Sequence, residues 1–589
     1  MGRMGDMVRA NKAKVTIQPE RPSRIALLDR TAHEPIDMSP WKRDDCTLEL
    51  RKIQKEALGA IRDMKGAGFM PIGVGWGKTF IELLAPVVSN KKLAIILAPS
   101  ATLENVNNEL AFLKTQYKMP PIEYKVMSYG ILSRSDPNKP ETFDKLKMLM
   151  GDYGAEDVIL MCDEAHKLAN IKTSARAARV MRFIKENPKV SVVMLSGTMT
   201  QTSMMDFHHL LSLALREHNP LPLIPKYAKK WARSIDVDIK NSAADFSIIA
   251  NTLKKYDPEL SYHEAHNRRN ERVRKAFAIH LLGARGVVGT VENALNNQLF
   301  VNRIMRLESF DKRLKDLYKQ VAETGESPNG EEVYADPASM ARALQQMSMG
   351  FYYKWVWPDD RPDFHWMETK ATFSRLMRHE IQANKASGYD SPLLVEAVIR
   401  ENPMLNTHLH EAMVRWDEHK HKPDPPVEPV WVSDKVVEEC VQWAFDNMAS
   451  LWYTSRAVAD KIEQFGMTTY RAGDKVQSYL GDFNFPAAWS IRAHGTGLNM
   501  QGYSRALIME PPASGAKWEQ LLGRLHRPGQ LSEAVRFYVL QHTERLQRSY
   551  HTALKKASYI ENTQRQPQKL ISSTKITTNF NQNLNVLWD

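Results

Sequence analysis

Three groups of residues in this chain have the side chains and spacing needed to handle phosphates. The first is Met70-Pro71-Ile72-Gly73-Val74-Gly75-Trp76-Gly77-Lys78-Thr79. Closely spaced glycines let the backbone curl until several N–H groups face one anion, and a helix beginning where the curl ends adds its positive pole. Gly73, Gly75 and Gly77 then form the cradle, Lys78 meets the β and γ phosphates, and Thr79 holds Mg²⁺. The second is Val158-Ile159-Leu160-Met161-Cys162-Asp163-Glu164-Ala165-His166, an apolar run ending in adjacent carboxylates. Cleaving a phosphoanhydride uses both: Asp163 to hold the Mg²⁺ that bridges the phosphates, Glu164 to orient and deprotonate the attacking water. The third is Arg524 and Arg527, three residues apart, which share a face if the segment is helical. Arginines aimed at a nucleotide held by another part of the chain commonly contribute about 10³ to 10⁵ in rate. The ligands implied are ATP and Mg²⁺.

Such groups need rigid elements behind them. Apolar, β-rich runs at 69–72, 93–97, 158–161 and 190–195 alternate with helix-like stretches, as buried parallel strands do. A second series stands at 451–453, 468–470, 487–491, 506–509 and 537–540. The expected class is α/β, with a parallel sheet at each end of the chain. Between them, 301–430 reads as helical and rich in tryptophan (Trp355, Trp357, Trp366, Trp416), closing in a Pro-rich run at 422–429 that reads as a linker. The resulting division is a flexible basic arm (1–40), a first α/β unit with a helical extension (41–300), the helical segment (301–430), a second α/β unit (431–560) and a poorly ordered polar tail (561–589).

Composition narrows the function classes. The 589 residues carry 80 Lys+Arg against 68 Asp+Glu, a formal +12, which favours an anionic partner. Segment 301–430 holds seventeen basic and twenty-one acidic residues, −4, so the rest carries +16. Cys46, Cys162 and Cys440 are far apart and form no C-x-x-C pair, which excludes a disulfide framework or zinc ribbon and points to a reducing compartment. The first thirty residues, with seven basic and three acidic side chains, lack the apolar core of a signal peptide. No run reaches about eighteen uninterrupted apolar residues, so the expectation is a soluble, cytoplasmic protein with no membrane partner.

Asp163-Glu164-Ala165-His166 resembles the DEAH box of superfamily-two helicases and translocases, and further segments follow in that family's order. Leu50-Arg51-Lys52-Ile53-Gln54 resembles its glutamine motif, in which Gln54 would read adenine. Ala98-Pro99-Ser100 resembles its first nucleic-acid-contacting motif. Ser196-Gly197-Thr198 resembles the motif that couples hydrolysis to nucleic-acid binding, with His166 on the same path. His494-Gly495-Thr496-Gly497-Leu498-Asn499 and the set Gln520, Gly523, Arg524, Arg527, Gly529 and Gln530 resemble the last two motifs, in which Gly495, Gly497 and Gln520 take part in coupling. Arg527-Pro528-Gly529-Gln530, the Ser-Gly-Thr form and Leu451-Trp452-Tyr453 are similar to the Swi/Snf-type ATPases. The stretches Ala284-Arg285-Gly286-Val287-Val288 and 346–355 resemble their compact bacteriophage-encoded members. The resemblance implies two RecA-like parallel-sheet lobes with a helical insertion between them, and a DNA-stimulated ATP hydrolase of the helicase/translocase kind. It would move on double-stranded DNA without sequence preference, in phage replication, recombination or repair inside the host cytoplasm.

The sequence departs from that pattern where Ile72 precedes a glycine shifted by one place, where Trp76 fills a loop position normally small, and where Met199 replaces the usual proline. Two basic runs, Lys226/Lys229/Lys230/Arg233 and Arg268/Arg269/Arg272/Arg274/Lys275, fit either phosphate contacts or a solvated helix face. The aromatic residues of 351–366 fit base stacking or, better, core packing. An RNA helicase or RNA–protein remodelling ATPase, and a non-catalytic nucleic-acid clamp that keeps the motor fold, are the alternative functions.

Overall fold

A computed structural model describes residues 33–578, apart from 74, 134–143, 170–173, 237–241, 291–296, 385–390, 472–473, 475–484, 495–497 and 528. Five strands, β1 (Gly68–Met70), β2 (Leu93–Ala98), β3 (Glu123–Ser128), β4 (Val158–Cys162) and β5 (Ser191–Leu195), pair in parallel in the order β1-β5-β4-β2-β3. Strands β2 and β4 are apolar and buried at every position because both faces are covered. Ala94, Ile96, Ile159, Met161 and Val193 pack towards helices α1 (Lys52–Asp63), α2 (Lys78–Val88) and α3 (Leu103–Gln116). Leu93, Ile95, Leu97, Leu160 and Met194 face the other way, into a core shared with α4 (His266–Leu282). Backbone bonds from Phe69 N to Gly286 O (2.8 Å) and from Val288 N to Phe69 O (3.2 Å) lay residues 286–288 along the free side of β1.

The remaining strands are β6 (Gln298–Ile304), β7 (Phe351–Trp355), β8 (Val427–Trp431), β9 (Ser450–Tyr453), β10 (Thr469–Tyr470), β11 (Ala487–Ser490), β12 (Arg505–Ile508), β13 (Ala534–Leu540) and β14 (Thr574–Thr578). Seven of them form a second, fully parallel sheet in the order β10-β11-β9-β12-β13-β6-β14, and β7 pairs antiparallel with β8. The intervening stretch contains α5 (Pro337–Ser348), α6 (Phe364–Ala383) and α7 (Thr407–Asp417), while α8 (Gly515–Leu525) and α9 (Glu544–Gln564) flank β13. The mixed α/β class with two parallel sheets is therefore as expected.

Three features of the expected division change. β6 straddles residue 300 and belongs to the second sheet; its apolar run Leu299-Phe300-Val301 is short, broken by Asn302, itself buried, and Arg303 before Ile304. β7 and β8 fall within the segment read as helical and the run read as a linker, with Pro429 opposite Tyr353 in a two-stranded ribbon where a missing N–H is tolerated. Within the stretch read as a poorly ordered polar tail, residues 561–578 continue α9 and add β14, whose Thr-Lys-Ile-Thr-Thr sequence is rich in β-branched residues and pairs with β6; 579–589 lie outside the described residues. At 487–491 the strand stops at Ser490, and Ile491 opens a short helix.

Trp366 is the centre of the aromatic segment: its ring lies 5.1 Å from Trp355, 5.6 Å from Trp357 and 5.7 Å from Trp416, all edge-on, with Lys370 Nζ 4.4 Å above it. Edge-to-face geometry satisfies the ring quadrupoles internally, so this cluster is core. Helix α9 links the part of the chain that forms the second sheet to residues that follow the first. Tyr559 donates to Asp236 Oδ1 (3.0 Å), and the Gln564 amide accepts from Met199 N and donates to Thr200 O, both at 3.3 Å. Among the described residues no helix is long and apolar enough to cross a membrane.

Two outcomes follow from this packing. Trp366→Ala should destabilise by about 3–5 kcal/mol in a denaturant titration while leaving affinity for single-stranded DNA unchanged; the reverse pattern would mark a base-stacking platform. His542, buried with Nε2 donating to Ser348 O (3.0 Å) and its ring 4.8 Å from Phe310, is pushed down to about 4 by burial. It is neutral in the folded protein and binds a proton more readily unfolded. Its contribution is therefore complete above about pH 6.5 and lost as pH falls towards 4, by about 3 kcal/mol. The pH dependence of unfolding across that window should flatten in His542→Gln.

Candidate active site

The glycine-rich loop runs from the end of β1 to the start of α2, as the sequence pattern requires. Gly75 (φ 85°) and Gly77 (φ 73°) are left-handed, and Gly77 caps α2 directly before Lys78. A Cβ on Gly77 would stand 2.4 Å from Gln54 Nε2, so both conformation and space demand glycine there. The loop is braced from outside. Gln54 Nε2 donates to Gly77 O (2.9 Å), Arg51 Nη1 to Gly75 O (2.8 Å), and Gly73 N to the Thr290 hydroxyl (3.0 Å). Gln54 Oε1 also accepts Arg51 N at 2.8 Å, so this amide is engaged with the backbone beneath the loop. Arg51 lies 5.7 Å over the Trp76 ring, which gives that unusual loop residue a partner.

Lys78 extends from the first turn of α2 to within 3.4 Å of Gly73 O and 4.0 Å of Glu164 Oε1. Asp163 prolongs β4 through a 2.8 Å bond from its N to Leu97 O, and its Oδ1 accepts Glu164 N at 2.8 Å. Glu164 sits in the left-handed region (φ 49°, ψ 49°), a strained setting for a residue with a side chain and one that concentrates at functional sites. Burial raises Asp163 to about 6, and the neighbouring Glu164 charge adds to the effect. Glu164 goes the other way. Burial would raise it, but Lys78 and hydrogen bonds with His166 and Ser196 outweigh that and hold it ionised.

The Ser-Gly-Thr segment meets this acidic pair through one hydroxyl. Ser196 Oγ lies 3.2 Å from Glu164 Oε2 and 2.9 Å from His166 Nδ1, and accepts Thr198 N at 3.1 Å. His166 Nδ1 is itself 3.2 Å from Glu164 Oε2. Gly197, between the two hydroxyl residues, is buried with them. Residues 165–168 and 196–198 therefore cannot shift without moving the Glu164 carboxylate.

Helix α8 ends at Leu525, so Arg524 lies within it and Arg527 beyond it, and the two do not share a helix face as expected. Arg524 donates to Leu498 O (2.7 Å) and to Gln520 O (3.2 Å); burial and then Arg527 bring its guanidinium down to about 9, opposed by the charge of Glu164. Arg527 pairs with Asn499 Oδ1 and is lowered by burial and by Arg51, against the attraction of Glu109. Its Nε is buried and meets no acceptor among the described residues. Gly495 and Gly497 lie outside the described residues.

Several groups at the site carry no readable signal. Glu109, on α3, reaches the Thr79 hydroxyl and faces Arg527. Thr290 is more than two hundred residues from the loop it supports. Glu82, one turn after Lys78, is buried with both carboxylate oxygens unpartnered; burial and then the Asp163 charge push it well above the usual carboxylate range.

The residues fit ATP with Mg²⁺. The left-handed Gly75 and Gly77 and the start of α2 suit phosphates, and the buried Arg527 Nε meets no acceptor among the described residues. Among the described residues no three His, Cys, Asp or Glu side chains could hold a metal by themselves.

Most of the second basic run is engaged internally, contrary to a free phosphate grip. Arg269 donates to Tyr262 O (2.7 Å), Arg272 pairs with Asp257 and with Glu264 (2.7 Å), Arg274 holds Ile235 O (2.6 Å), and Lys275 pairs with Glu271 (2.8 Å). In the first run Arg233 pairs with Asp245 (3.1 Å), while Lys226 and Lys229 are exposed.

No family model matches the sequence, and no curated protein matches it.

The two loop glycines predict unequal effects. Each alanine substitution incurs about 1–2 kcal/mol of left-handed strain, but a Cβ at position 75 meets nothing within 4 Å. Chemical denaturation should show Gly77→Ala as the more destabilised variant.

Proposed function

We propose that this chain is an Mg²⁺-dependent ATPase of the Swi/Snf type within helicase superfamily two, built from two RecA-like lobes, that translocates on double-stranded DNA. The observation that carries this reading is the set at the glycine-rich loop, where the Glu164 carboxylate lies 4.0 Å from Lys78 and 3.2 Å from both Ser196 and His166, with Arg524 of the second sheet's helix near enough for its charge to interact with Glu164. Hydrolysis of a nucleotide in that cleft would then depend on the relative position of the two sheets. That dependence is what a motor requires.

The chemistry follows from the side chains. Lys78 and the loop N–H groups bind and orient the phosphates. Bound Mg²⁺, held through Thr79 and Asp163, would supply charge neutralisation at the β and γ phosphates. Glu164, kept ionised by Lys78, is a weak base but a well-placed acceptor, so its main contribution is to orient the attacking water. Arg524 and Arg527 stabilise the charge that develops on the transferring group. Ser196 and His166, both bonded to the Glu164 carboxylate, would convey a shift of the Ser-Gly-Thr segment to that water.

A DNA partner is supported by a cavity of about 400 Å³ at the carboxyl ends of β9, β11 and β12, where ligands of parallel α/β sheets bind. Arg342, Arg492, Lys517 and Arg545 line it. Its one carboxylate, Glu510, is already engaged with Thr454 N (2.6 Å), Ser455 N (2.8 Å) and the Gln345 amide (3.0 Å). Arg545 Nε is buried without an acceptor. Such a set favours a backbone phosphate, which carries no sequence information. The compact phage-encoded members are those the sequence resembles, and a role in phage DNA replication, recombination or repair fits the proposal.

ATP hydrolysis should be stimulated by duplex DNA, and Glu164→Gln should lower turnover by about 10²-fold or more while retaining nucleotide binding. Stimulation by RNA alone would replace DNA as the partner, and equal rates in wild type and Glu164→Gln would remove the enzyme reading. Lys517→Glu should weaken duplex binding similarly across sequences and reduce the salt slope by about 1.

A further inference from the structure

A glutamine amide carries a donor at one corner and an acceptor at the other, so three of them buried within five residues call for partners. Gln564, Gln566 and Gln568, at the end of α9 and just beyond it, are 1%, 2% and 0% exposed. Arg565, between the first two, is left-handed (φ 51°), and the helix stops there. Gln564 bonds to the backbone that follows the Ser-Gly-Thr segment. Gln566 reaches the phosphate loop: a Cβ on Gly73 would stand 3.0 Å from its Nε2 and 3.2 Å from the Thr290 hydroxyl. Gln568 Nε2 donates to Gln566 O (3.3 Å) and holds the backbone that carries this amide. Gln566 Oε1 is buried and meets no donor among the described residues, so no hydrogen bond to that oxygen explains its burial beside the loop. Gly73 is thereby enclosed on three sides. Its N–H is held by Thr290 (3.0 Å), Lys78 Nζ approaches its carbonyl oxygen (3.4 Å), and the Gln566 amide covers its Cα.

We infer that Gln566 is a positioning residue of the phosphate loop, one that ties nucleotide affinity to the docking of residues 564–568. The inference rests on the nucleotide-site reading given above and adds to it a control supplied from the far end of the chain. Gln566 acts through Gly73, whose place sets where the loop begins and where Lys78 can rest. Between β13 of the second sheet and Gln566 the chain runs through the single long helix α9, so a displacement of that sheet would lift the amide from Gly73 or press it closer. The same displacement would reach the Ser-Gly-Thr segment through Gln564, and one short run would thus govern both the binding of phosphate and the placing of Glu164. Coupling of this kind is reciprocal. If docking of 564–568 strengthens nucleotide binding, bound nucleotide strengthens the docking by the same factor, commonly about 5- to 150-fold.

The test uses the full chain with ADP as probe. Amide hydrogen exchange in residues 564–570 should slow about fivefold or more when ADP saturates the wild-type protein. Gln566→Ala should weaken ADP binding by a similar factor. Gly73→Ala sets a methyl against the amide, so its loss of ADP affinity should be smaller in the Gln566→Ala background, the non-additivity expected of residues in contact. A Gln566 that merely fills space would lower thermal stability, leave ADP affinity at the wild-type value and add independently to Gly73→Ala. Either that result, or ADP binding with unchanged exchange in 564–570, overturns the inference and leaves the nucleotide-site reading standing. If the wild type binds no ADP, with or without Mg²⁺, the nucleotide-site reading fails and the inference falls with it.

Discussion

Three carboxylates and one ammonium, Glu82, Asp163, Glu164 and Lys78, share a buried volume where β4 ends and α2 begins. Burial and mutual repulsion raise Asp163 to about 6 and Glu82 well above the usual carboxylate range, so protons offset part of the imbalance and arriving positive charge would offset more. The chain provides two routes. Under the proposed function a dication would enter with its phosphates, and a guanidinium would approach from the second sheet, where the charge of Arg524 already interacts with that of Glu164. Both routes make the electrostatics of the first sheet depend on what enters the cleft and on where the second sheet stands. The loop bracing by Gln54, Arg51 and Thr290 and the coupling through Ser196 keep these charges at fixed spacing.

The C-terminal part of the chain reinforces that dependence. Helix α9 leaves the second sheet after β13 and reaches the first through Tyr559 and Gln564, the latter bonded to the backbone directly after the Ser-Gly-Thr segment. The chain then returns to pair β14 with β6. A change at the Ser-Gly-Thr segment would thus be felt along α9 as well as across the cleft. The net charge also takes on a narrower meaning. Much of the second basic run is neutralised by Asp257, Glu264, Glu271 and backbone carbonyls, whereas the four cations of the second-sheet cavity come from positions scattered between Arg342 and Arg545. Clustering in sequence was a poor guide to which cations are free, because helix-face pairs neutralise one another locally.

Much of the site was legible because its chemistry depends on contiguous motifs. Gly73 to Thr79, Asp163 with Glu164, Ser196 to Thr198, and Arg524 with Arg527 each stand in a short run whose residue types have few other uses. Glu82, Glu109 and Thr290 were not legible, because each acts through a partner on a different element and its own neighbours in sequence are ordinary. The fold divides similarly. Fully buried strands such as β2 and β4 announce themselves by apolar runs. By contrast β6, with a buried Asn302, and β14, with mostly polar residues, exist through pairing with one another. The β7–β8 ribbon was hidden for a similar reason, since Pro429 reads as a breaker until an antiparallel partner is present.

The central claim is that closing the cleft on ATP moves the chain along duplex DNA. Displacement of a triplex-forming strand from duplex DNA reports this most directly, since it needs translocation and no strand separation. The account predicts displacement with ATP and Mg²⁺, none with ADP, and none for Glu164→Gln. Vigorous DNA-stimulated hydrolysis with no displacement on any duplex length would contradict it.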